Sequence, residues 1–312
     1  MTYKPDTEKQ GASVSVSDTS CPVEPIPELD CGEVRFSGNP QHVIVGEVRF
    51  KVPSCYPRTV LLGITKIDVN ILRLKAEVRS VADDRAIVNM STWSSKWTNT
   101  EHYGSACSWL SIPPNDIDIQ SGRYHTKESR TSASQPQTKT SSRITFARPY
   151  AAPPKVAVWL NLVNSEAERN VRVTTWADNI TSDGFTIHLD TWDDSKLWVA
   201  GATWLAHSAY RTDVRSGQFH TDDVRPGHAA YQVNRGRVSW GVPSMARPPR
   251  VFTALRFLDF QQGRNVRLTM ETSEVTTTGM TWNLNSWSDT IFYQAGAVFV
   301  VFDDDQSVDS AD

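Results

Sequence analysis

Long apolar runs are missing from this chain. None approaches the roughly 18 residues that cross a bilayer as a helix, so no membrane span is expected. The first twenty residues, MTYKPDTEKQGASVSVSDTS, lack the apolar core of a secretory signal. A cytoplasmic or unconventionally exported protein is the expectation, unless the chain begins after processing. Histidines number seven and cysteines four, and no Cys–His grouping has zinc spacing. No metal and no cofactor are expected. The cysteines, Cys21, Cys31, Cys55 and Cys107, all fall in the first third, so the remainder folds without bridges, and reduced thiols are favoured. Lys and Arg total 32 against 35 Asp and Glu and form no stripe, which excludes a phosphate-backbone partner. Helical periodicity is absent throughout.

What is present is aromatic and alternating, with eleven tryptophans and eight tyrosines. The stretch Asn170 to Ala206 reads as three strands. Asn170–Ile180 meets Gly184–Trp192 at the turn Ser182-Asp183-Gly184, and Asp-Gly between alternating apolar runs signals a hairpin. Successive strand residues point to opposite faces. Val171 and Val173, with Phe185, Ile187 and Leu189, therefore point inward, while Arg172, His188, Asp190 and Trp192 point outward. Arginine beside tryptophan on an outer face suits a polar, ring-shaped ligand.

The arrangement recurs twice. Arg73 precedes Trp93 as Arg172 precedes Trp192 and Arg267 precedes Trp287. Arginines and tryptophans alike are spaced 99 and then 95 residues apart. Matched spacing and parity predict three copies of one module: residues 30–114, 119–208 and 214–302. A flexible tail is expected over 1–29 and an acidic one over 303–312. Each module opens with a short strand, Cys31-Gly32-Glu33-Val34-Arg35-Phe36, Ser121-Gly122-Arg123-Tyr124-His125-Thr126 or Ser216-Gly217-Gln218-Phe219-His220-Thr221. A strand ending at Phe50, Phe146 or Trp240 follows, then a proline-marked corner. The third strand is clearest where Val156, Val158, Leu160 and Leu162 alternate with Lys155, Ala157, Trp159 and Asn161. The hairpin and a last strand carrying Trp109, Trp204 or Phe299 complete six strands. The predicted fold class is all-β: three tandem six-stranded antiparallel β-sandwich domains, packed as an intrachain pseudo-trimer.

The serine-glycine opener, the F-x-x-P-Y corner, the double proline, the N-V-R-V and G-F strands, T-W and the W-L-A end together resemble the H-type lectin domain. The middle copy matches best and the first departs most, with a shorter loop before Arg73 and four extra residues after Trp93. The resemblance implies sandwiches that assemble as trimers and bind galactose or N-acetylgalactosamine where neighbours meet. It also implies the carbohydrate-binding residues: Arg73, Arg172 and Arg267; Trp93, Trp192 and Trp287; and a second aromatic, Tyr103, Trp198 or Tyr293, six residues before each core aromatic. An acid in the loop after the first strand completes the family's pocket. Counted back from the second-strand aromatic, that position holds Asn39, Gln135 or Ala229, none of them acidic.

An arginine fork donates to sugar oxygens, and an indole covers the apolar face of a pyranose. The expected function is a multivalent, non-catalytic lectin whose partners are glycans bearing terminal galactose or N-acetylgalactosamine. The alternative is a self-associating structural protein that has lost its sugar sites. On that view the tryptophans fill module interfaces and the arginines pair with Asp190 or Glu271. Parity places Trp198 with Trp204 on the core face, unless a bulge re-aims it. A glycosidase would need two positioned carboxylates. The middle copy has candidates, but Asn285, Ser288, Ser91 and Ser94 replace them elsewhere.

Overall fold

The computed structural model describes residues 28–37, 42–54, 56–96, 99–129, 137–227 and 229–303. Strands come in three sets of six. The first comprises β1 (Asp30–Ser37), β2 (Val43–Arg49), β3 (Thr59–Val69), β4 (Arg73–Val81), β5 (Arg85–Ser91) and β6 (His102–Ile112). The second comprises β7 (Gln120–His125), β8 (Ser141–Thr145), β9 (Lys155–Ser165), β10 (Val171–Thr181), β11 (Gly184–Asp190) and β12 (Leu197–His207). The third comprises β13 (Val214–His220), β14 (Arg235–Ser239), β15 (Arg250–Phe260), β16 (Val266–Ser273), β17 (Gly279–Asn285) and β18 (Phe292–Phe302). A single helical turn, α1 (Thr126–Ser129), follows β7, and a 3-10 turn (Thr221–Asp223) follows β13.

These sets do not form separate sheets. Three six-stranded antiparallel sheets run β1-β6-β3-β16-β17-β14, β13-β18-β15-β10-β11-β8 and β2-β5-β4-β9-β12-β7. Each joins strands one, six and three of one repeat to strands four, five and two of another. The first repeat joins the third, the third joins the second, and the second joins the first, so the ring closes on itself. The seams are backbone ladders: Arg172 opposite Asp259, Arg267 opposite Asp68 and Arg73 opposite Asn164. Pairing buries the edges of the third and fourth strands, which would otherwise be open to pairing with other chains.

The inward parity of the hairpin holds: Phe185, Ile187 and Leu189 are fully buried, as are Met280, Trp282 and Leu284. The third strands differ from the expected alternation. In β9, Trp159 is as buried as Leu160, and Ala157 as buried as Val158. The physical reason is the ring. One face of β3, β9 and β15 covers a sandwich core, and the other packs around the central axis. A second apolar cluster sits there, including Leu61, Leu110, Trp159, Leu205, Phe252, Val298 and Val300.

The axial packing is built from unequal side chains. The fifth residue of each third strand is Gly63, Trp159 and Ala254. The Trp159 indole lies 5.0 Å from the Phe252 ring and donates to the Leu62 carbonyl at 2.8 Å. A Cβ on Gly63 would lie 2.3 Å from the Ala254 Cβ. One large, one small and one absent side chain fill a space that three identical residues would overfill or leave hollow. Away from the axis, Arg211 after β12 clamps the other connector through Asp116, at 2.7 Å to both oxygens.

Among the described cysteines, Cys31 and Cys107 are free and buried; Cys21 and Cys55 lie outside the described residues, as do 1–27 and 304–312 of the expected tails. No described helix is long and apolar enough to cross a membrane.

Candidate functional site

Each outward-facing arginine lies on a seam between repeats. Arg172, on β10, has only 14% of its side chain exposed. Its Nη1 reaches Asp194 at 2.8 Å, and its Nε lies 3.5 Å from Asp259 on β15. Arg267, on β16, repeats the arrangement with Asp289 and with Asp68 on β3 at 3.4 Å. The arginines are thus ion-paired, but not with Asp190 or Glu271. Asp190 is buried and instead accepts from the Thr140 amide at 3.1 Å. Position explains the exchange, since the seam ladder places Asp259 and Asp68 directly opposite the two arginines. Burial raises the Asp259 carboxyl to about 6, with Arg172 opposing the shift. Burial raises Asp68 in the same direction. The outer partners Asp194 and Asp289 are held below the usual carboxylate range by hydrogen bonds from Arg172 and Arg267.

Arg73 departs from the predicted outward orientation, being only 6% exposed. Its Nη1 donates to Thr100 at 3.4 Å, as Arg172 does to Ser195 and Arg267 to Thr290. Both acids are missing at this seam. Asn164 stands opposite Arg73, and Asn99 precedes Thr100 where Asp194 and Asp289 precede Ser195 and Thr290.

The tryptophans that follow the arginine hairpins lie half-buried, and two of them reach across the seams. The Trp192 ring packs 5.0 Å from Phe257 of β15, and Lys66 of β3 sits 5.6 Å over Trp287. Trp93 is half-buried as well.

Three β-bulges position the second aromatics. In the ladder between β9 and β12, pairing passes from Leu197 to Val199, leaving Trp198 as the extra residue. Tyr103 is left out in the same way between His102 and Gly104, and Tyr293 between Phe292 and Gln294. A bulge re-aims a side chain, so strict alternation fails here: Trp198 is half-exposed while Trp204 is buried in the core. Tyr103 is 46% exposed and donates to Glu101. The Tyr293 hydroxyl donates to Gln261 at 2.8 Å.

The loop after the first strand does carry acids. In the third repeat the His220 ring accepts from the Asp222 amide at 3.1 Å, and Asp223 accepts from the His220 amide at 2.8 Å. In the second, His125 accepts from the Lys127 amide at 3.1 Å, and Glu128 accepts from the His125 amide at 2.8 Å. Both turns dock on the sixth strand, through Thr126 to the Ala200 amide and Thr221 to the Ala295 amide. Counting from the second-strand aromatic missed these acids because the intervening loops vary in length. The His-Thr that ends the second and third openers was the usable signal. Asn39 and Gln135 lie outside the described residues, and Ala229 caps Arg225 through its carbonyl.

Next to these parts, at the seam of the second and third repeats, lies a cavity of about 600 Å³ lined by Thr174, His220, Asp222, Phe257 and Gln294, among others, and reached by the Trp192 ring only through its contact with Phe257. Gln294 donates to Asp222 at 2.8 Å within the third repeat, and the second repeat contributes Thr174 and Trp176 to the lining. Among the described residues no grouping of His, Cys, Asp and Glu could hold a metal ion.

Comparison with known proteins bears on these same hairpins. The family model of the H-type lectin domain matches residues 141–207 and 244–302. A protein named ATP synthase subunits region ORF 7, from Fuscovulum blasticum, is 36% identical over 70 residues, 22% of this chain. The match spans 61% of that relative's length. Recombinant discoidin II of Dictyostelium discoideum aligns in structure with a TM-score of 0.26 and 13% identity, over 50% of this chain and 75% of that one. Both segments matched by the family model contain an arginine–tryptophan hairpin, Arg172 with Trp192 and Arg267 with Trp287.

Proposed function

We propose that the protein is a non-catalytic, multivalent lectin that takes galactose-type or N-acetylgalactosamine-type sugars at the seams between its repeats. The observation that carries this reading is the arginine ion-paired with carboxylates of two different repeats, with a half-buried tryptophan packed across the same seam. Ion pairing fixes the guanidinium plane, and carboxylate oxygens accept strongly from sugar hydroxyls. The aromatic supplies the apolar platform, with Tyr293 and Gln294 at its side. One such site holding a monosaccharide would bind at about 4 to 8 kcal/mol, millimolar to micromolar. The ring would raise avidity for clustered glycans by roughly 10² to 10⁴.

The structural reading has its best support at the seam of the first and second repeats. There Arg73 is buried and amides replace both acids, so Arg73, Trp93 and Trp198 serve packing more than recognition. The proposal thus predicts two working sites, around Arg172, Trp192 and Tyr293 and around Arg267, Trp287 and Tyr103. Glycan-array screening followed by calorimetry is the test. Galactose-type hits with a stoichiometry near two support it. Trp192→Ala and Trp287→Ala should each remove one site. An array without hits would favour the structural reading.

A further inference from the structure

The third strands carry a second bulge, on the side of the seam nearer the ring axis. Its extra residue is Thr65 in β3, Asn161 in β9 and Arg256 in β15. Two of these are neutral and one is a permanent cation. Arg256 donates from Nε to the Thr175 carbonyl at 3.3 Å, and among the described residues no carboxylate ion-pairs with it. This contrasts with Arg172, paired with Asp193, Asp194 and Asp259, and with Arg267, paired with Asp68 and Asp289. A largely buried guanidinium without a counter-charge is costly, and burial lowers its pKa accordingly.

Arg256 stands at the neck between two cavities. One is the 600 Å³ cavity beside the candidate site, whose far side carries Asp222 and Asp223. The other, of about 430 Å³, continues along β9 and β13 and is lined by Arg256 and Lys155 but by no carboxylate. Arg256, Trp176 and Gln218 line both. Trp176 is 36% exposed, and its ring is fixed by stacking on His188, 3.8 Å away and within 6° of parallel. A rigid indole next to an uncompensated guanidinium is a site for a flat-faced ring that carries a negative charge. The other seams lack it. The positions equivalent to Trp176 on the fourth strand hold Glu77 and Glu271, which repel an anion.

We propose that the seam of the second and third repeats has an extended subsite in which Arg256 pairs with the carboxylate of an acidic saccharide, the sugar lying along Trp176 and Gln218. The subsite rests on the lectin reading, because it adjoins the Arg172–Trp192 site and would take the residue next to the sugar held there. It makes this seam alone selective for a charged glycan.

Calorimetric titration of the full chain with lactose and with sialyllactose tests it. A charge-assisted bidentate contact should make sialyllactose bind about tenfold tighter. Gln218→Glu changes an exposed position, placing an acid near Arg256 and against the ligand carboxylate. It should bring the two affinities together with an unchanged melting temperature, and Arg256→Gln should likewise remove the preference. Equal affinities in the unaltered protein, or a preference that survives Gln218→Glu, would overturn the subsite. Lactose binding without a preference would sink the subsite and leave the lectin reading standing. Binding of neither sugar would sink both.

Discussion

The residue opposite the seam arginine is one of two acidic positions that separate the three seams chemically. Asp259 and Asp68 face Arg172 and Arg267, whereas Asn164 faces Arg73. Because burial raises Asp259 to about 6, above the ordinary carboxylate value near 4, the folded protein holds this proton more tightly than the unfolded chain does. Its contribution to stability is therefore fully present below about pH 4 and declines as pH rises through about 6. Asp194 and Asp289 act oppositely, and their stabilisation is lost as pH falls through their lowered values. A carboxyl-carbon NMR titration should place the Asp259 midpoint near 6, and Asp259→Asn should raise the melting temperature at pH 7 relative to its effect at pH 4. A midpoint near 4 would contradict the burial argument. Arg172→Ala is expected to destabilise as well as to abolish middle-site binding, because it leaves Asp259 without its counter-charge. Trp192→Ala, which removes only a half-buried ring, should cost about 1 to 2 kcal/mol of stability. Thermal melts of the two variants would check that order, with Arg172→Ala the lower at pH 7.

Strand parity was legible in the sequence wherever one face meets a core and the other meets solvent. Phe185, Ile187 and Leu189 show it. Parity failed where an element has two buried faces, as in β9, or an extra residue, as at Trp198. Neither the ring axis nor a bulge leaves a period in the sequence. The seam acids did leave a trace: Asp68 and Asp259 each interrupt an apolar strand at its tenth residue. The axial packing gives a sharp expectation. Trp159→Ala should cost about 3 to 5 kcal/mol. Gly63→Ala should cost about 1 to 3 kcal/mol, since its methyl meets Ala254. Adding Ala254→Gly should restore much of the loss, as residues in contact couple. Denaturant midpoints of the single and double variants would show this coupling; strictly additive losses would contradict it.

The whole molecule is a ring whose seams are backbone ladders with unequal side chains at its centre. Three identical copies of any one repeat would place three tryptophans, three glycines or three alanines at the axial position now shared by Gly63, Trp159 and Ala254. Fusion in one chain permits the mixture and also permits three unlike sites. We expect a compact single chain of 34.9 kDa with a radius of gyration of about 20 Å, unchanged on dilution when followed by X-ray scattering. An elongated string of domains would refute the ring in solution. The most direct measurement of the central claim, that sugar is bound at the seams by the arginine–tryptophan hairpins, is the movement of indole N–H signals in a nitrogen-labelled protein titrated with N-acetylgalactosamine. The account predicts saturable shifts of Trp192 and Trp287 in the millimolar to micromolar range, with the core rings Trp159, Trp204 and Trp282 still. Shifts confined to other tryptophans, or no shifts at saturating sugar, would contradict it.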